Sequence, residues 1–86
     1  MDKKQVRHQP LYDCLGEVIA FRRKKLNMSQ EQLAEESGVD RAFISNVEKG
    51  KRNPSFGVVA SIAEGLRLRL SKLVVLTEEC NKNRAG

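Results

Sequence analysis

The stretch SQEQLAEESGVDRAFISNVEKG, residues 29–50, holds two short segments with helical spacing of apolar residues on either side of a glycine. Ser29 is expected to begin the first helix, because its hydroxyl can accept from the amide of Gln32 while the Gln32 side chain reaches back, as in a capping box. Gly38 ends that helix, since glycine enters the left-handed closing conformation without penalty. Asp40 then caps the second helix directly. The stretch therefore predicts two helices joined by a very short turn.

Such a pair of helices is a helix-turn-helix, in which the first helix braces and the second projects. Ala34 must be small because the two helices cross closely there, and Gly38 makes the turn. Ile44 and Val47 recur at helical spacing and anchor the second helix. The other face of residues 40–49 is therefore predicted to point outward.

The flanking sequence predicts three further helices. Residues 11–26 have apolar residues at helical spacing and cations in the last turn, which suit the helix dipole. Pro54 prevents the second helix of the pair from continuing, and Ser55 caps the next helix. Residues 66–76, LRLRLSKLVVL, alternate like a strand at first and then fit a helix. We expect a loop and a fifth helix ending near Glu79, with a strand as the alternative, and hence an all-α fold of five short helices with no sheet.

The length of 86 residues has room for one small domain. Residues 1–10 are polar and end in a proline, so we expect a flexible N-terminal arm. Residues 11–79 form the domain, and residues 80–86 are expected to be a frayed tail.

Catalysis and metal binding have little support in the sequence. The single histidine, His8, falls in the predicted arm, and no serine, histidine and carboxylate set can be placed, so we expect no enzyme activity, no metal and no other cofactor. Cys14 and Cys80 permit one disulfide, but without a secretory signal we expect two reduced thiols. The longest apolar run, residues 73–76, is far too short to span a membrane, and we expect a cytoplasmic, nucleoid-associated location.

The charge balance is basic, with 16 lysines and arginines against 11 acidic residues and a net charge of +5. Such a balance suggests a polyanionic partner when the cations are clustered. Four of them, Arg41, Lys49, Lys51 and Arg52, fall on the outward side of the second helix and its following corner.

The stretch MSQEQLAEESGVDRAFISNVEKGKRNPSFGVVASIAEGL, residues 28–66, resembles helix-turn-helix regulators of the phage repressor and Cro type, the XRE family. The pattern S-Q-x-x-L-A-x-x-x-G-V, the segment I-S-x-x-E-x-G, a Pro-Ser start and an A-x-x-L close occur in order at the expected spacing. The resemblance extends over about residues 15–76. Small members of the family include phage and plasmid repressors and the controller proteins of restriction-modification systems.

The resemblance implies that residues 40–49 are a recognition helix whose start enters the major groove of DNA. Arg41 would then contact guanine and Asn46 adenine. Ala42 would meet a thymine methyl group, and Ser45 a base or a phosphate.

The resemblance also implies phosphate contacts on both sides of this helix, which fix the register on DNA. The residues expected to make them are Ser29, Gln30, Lys49, Lys51, Arg52 and Asn53. Arg23 and Glu48 match a pair found in similar repressors, in which the glutamate orients the arginine toward a phosphate.

Three positions depart from the family pattern. Arg67 stands where a glycine is usual, and Arg69 where a small polar cap is usual. The resemblance therefore does not predict the geometry of the connection between the fourth and fifth helices. Arg41 stands where many relatives carry glutamine or another polar residue, so the base preference does not transfer either.

The fifth helix carries more apolar residues than one buried stripe needs. Leu70, Leu73 and Val74 can face the fourth helix, which leaves Val75 and Leu76 in water, the kind of patch that marks an interface. We predict a homodimer through Leu70, Leu73, Val75 and Leu76, and an inverted-repeat operator with half-sites about 34–36 Å apart. The alternative is that LRLRL shifts the register and buries these residues within one monomer.

A protein-interaction module, such as an antitoxin or a bridging factor, is the alternative function. The cations on the outward side of the recognition helix favour double-stranded DNA as the partner. RNA binding ranks third, because no RNA motif is present. No site for a small-molecule effector is evident.

Overall fold

Five α-helices and no strand make up residues 7–85, the part of the chain that the computed structural model describes. They are α1 (Gln9–Lys25), α2 (Gln30–Ser37), α3 (Arg41–Glu48), α4 (Phe56–Gly65) and α5 (Leu70–Ala85). The all-α prediction is confirmed. The strand alternative for LRLRL is wrong, because this segment forms the turn between α4 and the first residue of α5.

The first helix begins inside the predicted arm, so the arm is wrong for Gln9 and Pro10. Pro10 lies in the first turn of α1, where its missing N–H would have no helical partner. The Gln9 amide nitrogen donates to Asp13 at 2.9 Å and to the carbonyl of Gly50 at 2.8 Å, which fastens the helix start to the end of α3. Residues 1–6 of the predicted arm lie outside the described residues.

The last helix continues to Ala85, so the predicted end near Glu79 and the frayed tail are wrong for residues 80–85. The helix persists because α5 lies along α1 and is joined to it twice near its end. Cys80 is bonded to Cys14, and Arg84 forms an ion pair with Glu17.

Cys14 and Cys80 form a disulfide, which corrects the expectation of two reduced thiols. Their Cα atoms are 5.8 Å apart, in the usual range for a disulfide, because the packing of α5 on α1 brings the two positions together. Nothing in the local sequence around either cysteine reports this approach, which spans 66 residues.

The hydrophobic core lies where the five helices meet. Ile44 and Val47 of α3 are buried in it, which leaves the opposite face of α3 outside. Its members are Leu15, Ile19, Met28, Leu33, Ile44, Val47, Val59, Ile62, Ala63, Leu66 and Leu73.

Two glycines allow helices to approach closely. A Cβ on Gly16 of α1 would lie 2.7 Å from the carbonyl oxygen of Glu48, so α1 contacts the backbone of α3 directly. A Cβ on Gly65 of α4 would lie 2.8 Å from a methyl carbon of Leu33 in α2. The helix-turn-helix is thus held between two close crossings.

The connection between α4 and α5 keeps a left-handed turn without glycine. Arg67 has φ +58°, its N–H donates to Glu64 at 3.0 Å, and the N–H of Leu68 donates to Ala63 at 2.9 Å, which is a Schellman ending. Arg22 of α1 reinforces the turn, since its Nε donates to the carbonyl of Leu66 at 3.0 Å.

Candidate nucleic-acid interface

The start of α2 and the turn between α2 and α3 are each fixed by local contacts. Ser29 accepts from the amide of Gln32 at 3.0 Å, and Gln32 accepts from the amide of Ser29 at 2.7 Å, which completes the capping box. Gly38 closes α2 with φ +74°, and Asp40 caps α3 by accepting from the amide of Ala42 at 3.0 Å. Gly38 and Asp40 therefore determine where α2 ends and α3 begins.

One face of α3 is available to a partner. Arg41 and Ala42 are exposed, and Ser45 and Asn46 are half-buried on the same side. These four residues are called the reading face below. The structure brings together all the residues predicted to read bases.

Arg23 and Glu48 form the ion pair that the sequence predicts, with Nε to Oε2 at 2.7 Å and Nη2 to Oε1 at 2.9 Å. Only 11% of the Arg23 side chain and 8% of the Glu48 side chain are exposed. The hydrogen bond that Arg23 donates to Glu48 raises the pKa of Arg23, against the opposing effect of burial, so the arginine stays charged. Its Nη1 donates to the carbonyl of Met28 at 2.9 Å, so all three guanidinium nitrogens bond protein oxygens.

The same carboxylate holds Gln30, which the sequence predicts at a phosphate. The Gln30 amide nitrogen donates to Glu48 at 3.0 Å, and its amide oxygen accepts from Arg41 at 3.4 Å. A chain of polar contacts therefore runs from Arg23 of α1 through Glu48 and Gln30 to the first residue of the reading face.

The corner after α3, defined as residues 51–53, follows a second left-handed glycine, Gly50, with φ +74°. Its three side chains, Lys51, Arg52 and Asn53, are exposed, as is that of Lys49 before them. The Arg52 guanidinium lies 4.8 Å from the centre of the Phe43 ring, so it is stacked on α3. Sequence reasoning missed this stacking, since spacing alone does not show that the corner folds back over α3.

The residues predicted at the dimer interface do not all reach the surface. Leu73 has no exposed surface and belongs to the core, so its assignment to the interface is wrong. Leu70 and Leu76 are half-buried, whereas Val74 is 38% and Val75 is 42% exposed. The outward apolar pair is therefore Val74 and Val75, because α5 turns Leu73, Thr77 and Cys80 inward rather than Val74.

The family is decided by comparison with known proteins, since the helix-turn-helix family HTH_3 matches residues 19–73. The chain belongs to this XRE-type helix-turn-helix family. The match contains α2, the turn and α3 and extends into the first residues of α5. The expected resemblance is confirmed. The family is one of DNA-binding transcriptional regulators.

Two curated relatives match this chain over different shares of their own length. An HTH-type transcriptional regulator of Mycobacterium tuberculosis is 42% identical over 60 residues, which are 70% of this chain and 43% of that protein. The chain thus spans less than half the length of that relative. The control protein C.SmaI of Serratia marcescens is 38% identical over 74 residues, which are 86% of each chain.

A solved structure of a related protein contains DNA. It is a mutant of the controller protein C.Esp1396I bound to its highest-affinity operator site, with 29% identity and a TM-score of 0.78 over 84% of this chain and 95% of that one. The XRE-type fold of this chain is therefore one that binds operator DNA in a relative.

The described part of the chain holds neither a metal-binding group of side chains nor a membrane-spanning helix. Within residues 7–85, no three or more histidine, cysteine or acidic residues are grouped in a way that suits a metal ion. None of the five helices described there is long and apolar enough to cross a membrane.

Proposed function

We propose that this protein binds an inverted-repeat DNA operator as a homodimer and regulates transcription there, with α3 in the major groove. The observation that carries the proposal is the reading face, held in position by the polar chain from Arg23 to Arg41 and bordered by the cations of the corner. We place its action at the nucleoid in the cytoplasm, and the proposed activity needs no catalytic step, cofactor or small-molecule effector.

Base recognition falls on the reading face. Arg41 is exposed and makes a long contact of 3.4 Å with Gln30, so its guanidinium can turn to the O6 and N7 atoms of a guanine. Asn46 lies about one and a half helical turns further along α3, where its amide suits the N6 and N7 atoms of an adenine. Ala42 and Ser45 supply a methyl group and a hydroxyl between them.

Phosphate contacts come from both sides of the reading face. Lys49 and the corner present cations and an amide on one side, and Ser29, the exposed cap before α2, lies on the other. Arg23 has a different role in this proposal. Because three of its five N–H groups already bond Glu48 and Met28, and only 11% of its side chain is exposed, its main role is to hold α3 and Gln30 in place.

The dimer surface proposed here replaces the predicted one. Leu11 of α1, Phe56 of α4, and Val74 and Val75 of α5 surround shallow grooves beside α5, and we call these four residues the dimer face. Phe56, Val74 and Val75 are each more than a third exposed, which leaves substantial apolar surface in water in a monomer. A two-fold axis at this face would present two recognition helices to one operator.

Selection of bound sequences from random double-stranded DNA is the first test, since it reads the operator directly. We expect an inverted repeat with half-sites about one helical turn apart. Arg41→Ala should then cost about 1–3 kcal/mol at one base pair and relax discrimination there. Lys51→Ala is the control. It should lower the affinity for all DNA sequences alike and reduce the slope of log affinity against log salt concentration by about one. An unchanged ratio of operator to scrambled DNA for Arg41→Ala would contradict the assignment.

Light scattering at micromolar concentration tests the dimer. We expect twice the mass of 9.7 kDa for the wild type and the monomer mass for Val75→Lys. Phe21→Lys is the matched control, because Phe21 is an exposed apolar residue outside the dimer face. A monomeric wild type, alone and on operator DNA, would refute the dimer.

A further inference from the structure

We propose that the Cys14–Cys80 disulfide is a thiol-reducible clasp on the end of α5, and that its reduction weakens the homodimer. The inference rests on the proposed function for its effect on the dimer, but the clasp itself can be tested without it. The ligand class is a small dithiol reductant, and the site is the sulfur of Cys80.

The end of α5 has little else to hold it. Leu73 and Thr77 are its buried residues, and no residue from 78 to 84 is buried. The Thr77 hydroxyl donates only within α5, to the carbonyl of Leu73 at 2.8 Å. After Thr77, the helix is therefore attached to the domain by contacts of side chains at positions 80 and 84.

Two such contacts join the end of α5 to α1. One is the ion pair of Arg84 with Glu17, whose side chains are 44% and 55% exposed, and exposed ion pairs contribute little. The other is the disulfide to Cys14, which is fully buried in the middle of the domain. The covalent bond is therefore the main tether of residues 78–84.

The two sulfurs differ in access. Cys80 lines a groove of about 530 Å³ between α1 and α5, together with Val18, Phe21 and Leu76, whereas Cys14 has no exposed surface and does not line it. Arg22, Lys25 and Lys72 border the same groove and favour an incoming thiolate, while the carboxylate of Glu17 there is paired with Arg84. A reductant thus reaches Cys80 first.

In this thiol–disulfide exchange, the dithiol reductant supplies both electrons and both protons. A thiolate of the dithiol attacks the sulfur of Cys80, the bond between the cysteines breaks, and Cys14 leaves as a thiolate that takes up a proton. The second thiol of the reductant then attacks the mixed disulfide and releases Cys80 as a thiolate, which also takes up a proton. The reductant becomes a cyclic disulfide, and the protein gains two thiols and two electrons.

The clasp lies on the helix that carries the proposed dimer face. Val75, Glu78 and Lys82 line one shallow depression together with Leu11, so the surface around the outward valine includes the part of α5 held by Cys80. When the tether opens, residues 78–84 fray and this surface loses its shape. Exchange with a small disulfide, which takes up the two electrons and two protons and becomes two thiols, closes the clasp again and strengthens the dimer. The regulator thereby responds to the thiol redox state.

Hydrogen exchange of the folded protein tests the clasp directly. Oxidised wild type and the same sample treated with dithiothreitol are compared, and free thiols are counted by alkylation and mass measurement. We expect amides of residues 78–84 to exchange about tenfold faster or more after reduction, because the disulfide no longer opposes local opening of the end of α5, while those of the better-buried α2 and α3 change less. Equal exchange in residues 78–84 would overturn the proposal.

Sedimentation of the same two samples tests the effect on the dimer. We expect the dissociation constant to rise by about tenfold or more on reduction and to return on reoxidation with oxidised glutathione. Cys80→Ser should match the reduced wild type with and without reductant; if it does not fold, the reversible change in wild type decides. A dissociation constant that is the same in both redox states would overturn the coupling. A monomer in both states, with faster exchange on reduction, would refute the proposed dimer and not the clasp.

Discussion

The guanidinium of Arg23 donates to both carboxylate oxygens of Glu48, at 2.7 and 2.9 Å, and so ties the last turn of α1 to the last residue of α3. The same carboxylate accepts from Gln30, so one acidic side chain fixes α1, α2 and α3 relative to one another. Because the pair is nearly buried, its loss leaves a charge without a partner rather than a solvated side chain.

Glu48→Ala should therefore destabilise the protein by about 3 kcal/mol, since it leaves Arg23 charged and unpaired. Urea unfolding followed by circular dichroism measures the loss. Glu36→Ala is the control, because Glu36 is exposed on α2, and it should change stability by less than about 0.5 kcal/mol. Equal stability of the two variants would mean that the pair does not hold the three helices.

Gly16→Ala should lower both stability and DNA affinity. The added Cβ would lie 2.7 Å from the carbonyl oxygen and 2.9 Å from the carbonyl carbon of Glu48, so the backbone of α3 must move. Overpacking of this kind costs about 1–3 kcal/mol, and the shift displaces the reading face. Thermal unfolding and a binding titration measure the two effects.

The matched control is Gly57→Ala in α4, where the nearest atom to the new Cβ is 4.0 Å away. Alanine is the better helix former, so this variant should be as stable as the wild type or slightly more stable. A Gly16→Ala protein that melts and binds like Gly57→Ala would show that α1 and α3 are further apart than described.

The local parts of the site could be predicted from the sequence. Ser29, Gly38 and Asp40 act on amides or dihedral angles within three residues of themselves, so their types at those positions suffice to place two helices and a turn. The Arg23 and Glu48 pair was accessible only through the family resemblance, because 25 residues separate the partners.

The parts that were missed depend on how helices dock. Gln9 bonds Gly50 and Cys80 bonds Cys14, and neither partner is marked by any periodic pattern. The dimer face differs from its prediction for a related reason: adjacent apolar residues of α5 fit several rotations of the helix, and only the packing decides that Leu73 turns inward while Val74 does not.

Arg67→Gly should stabilise the protein by about 1 kcal/mol, because Arg67 holds a left-handed conformation with φ +58° that costs a non-glycine residue about that much. The backbone bonds of the turn do not involve its side chain and should persist. The melting temperature should rise by about 4–8 °C. Asn27→Gly provides the comparison: Asn27 has the same conformation, but asparagine tolerates it, so the gain should be smaller. A lower melting temperature for Arg67→Gly would indicate that the side chain contributes more than its strain costs.

Phe43→Leu should weaken operator binding by about two- to fivefold, because the ring under the Arg52 guanidinium is an electrostatic platform that an aliphatic side chain lacks. Phe43→Tyr keeps the ring and should bind within about twofold of the wild type. Since Phe43 also packs against the core, the melting temperature of each variant is measured, and binding is compared well below it. A double-mutant cycle separates positioning from packing: in an Arg52→Ala background, Phe43→Leu should cause no further loss of affinity. If Phe43→Leu lowers operator affinity equally in both backgrounds, the ring does not act through Arg52. The corner would then contact DNA without being positioned by α3.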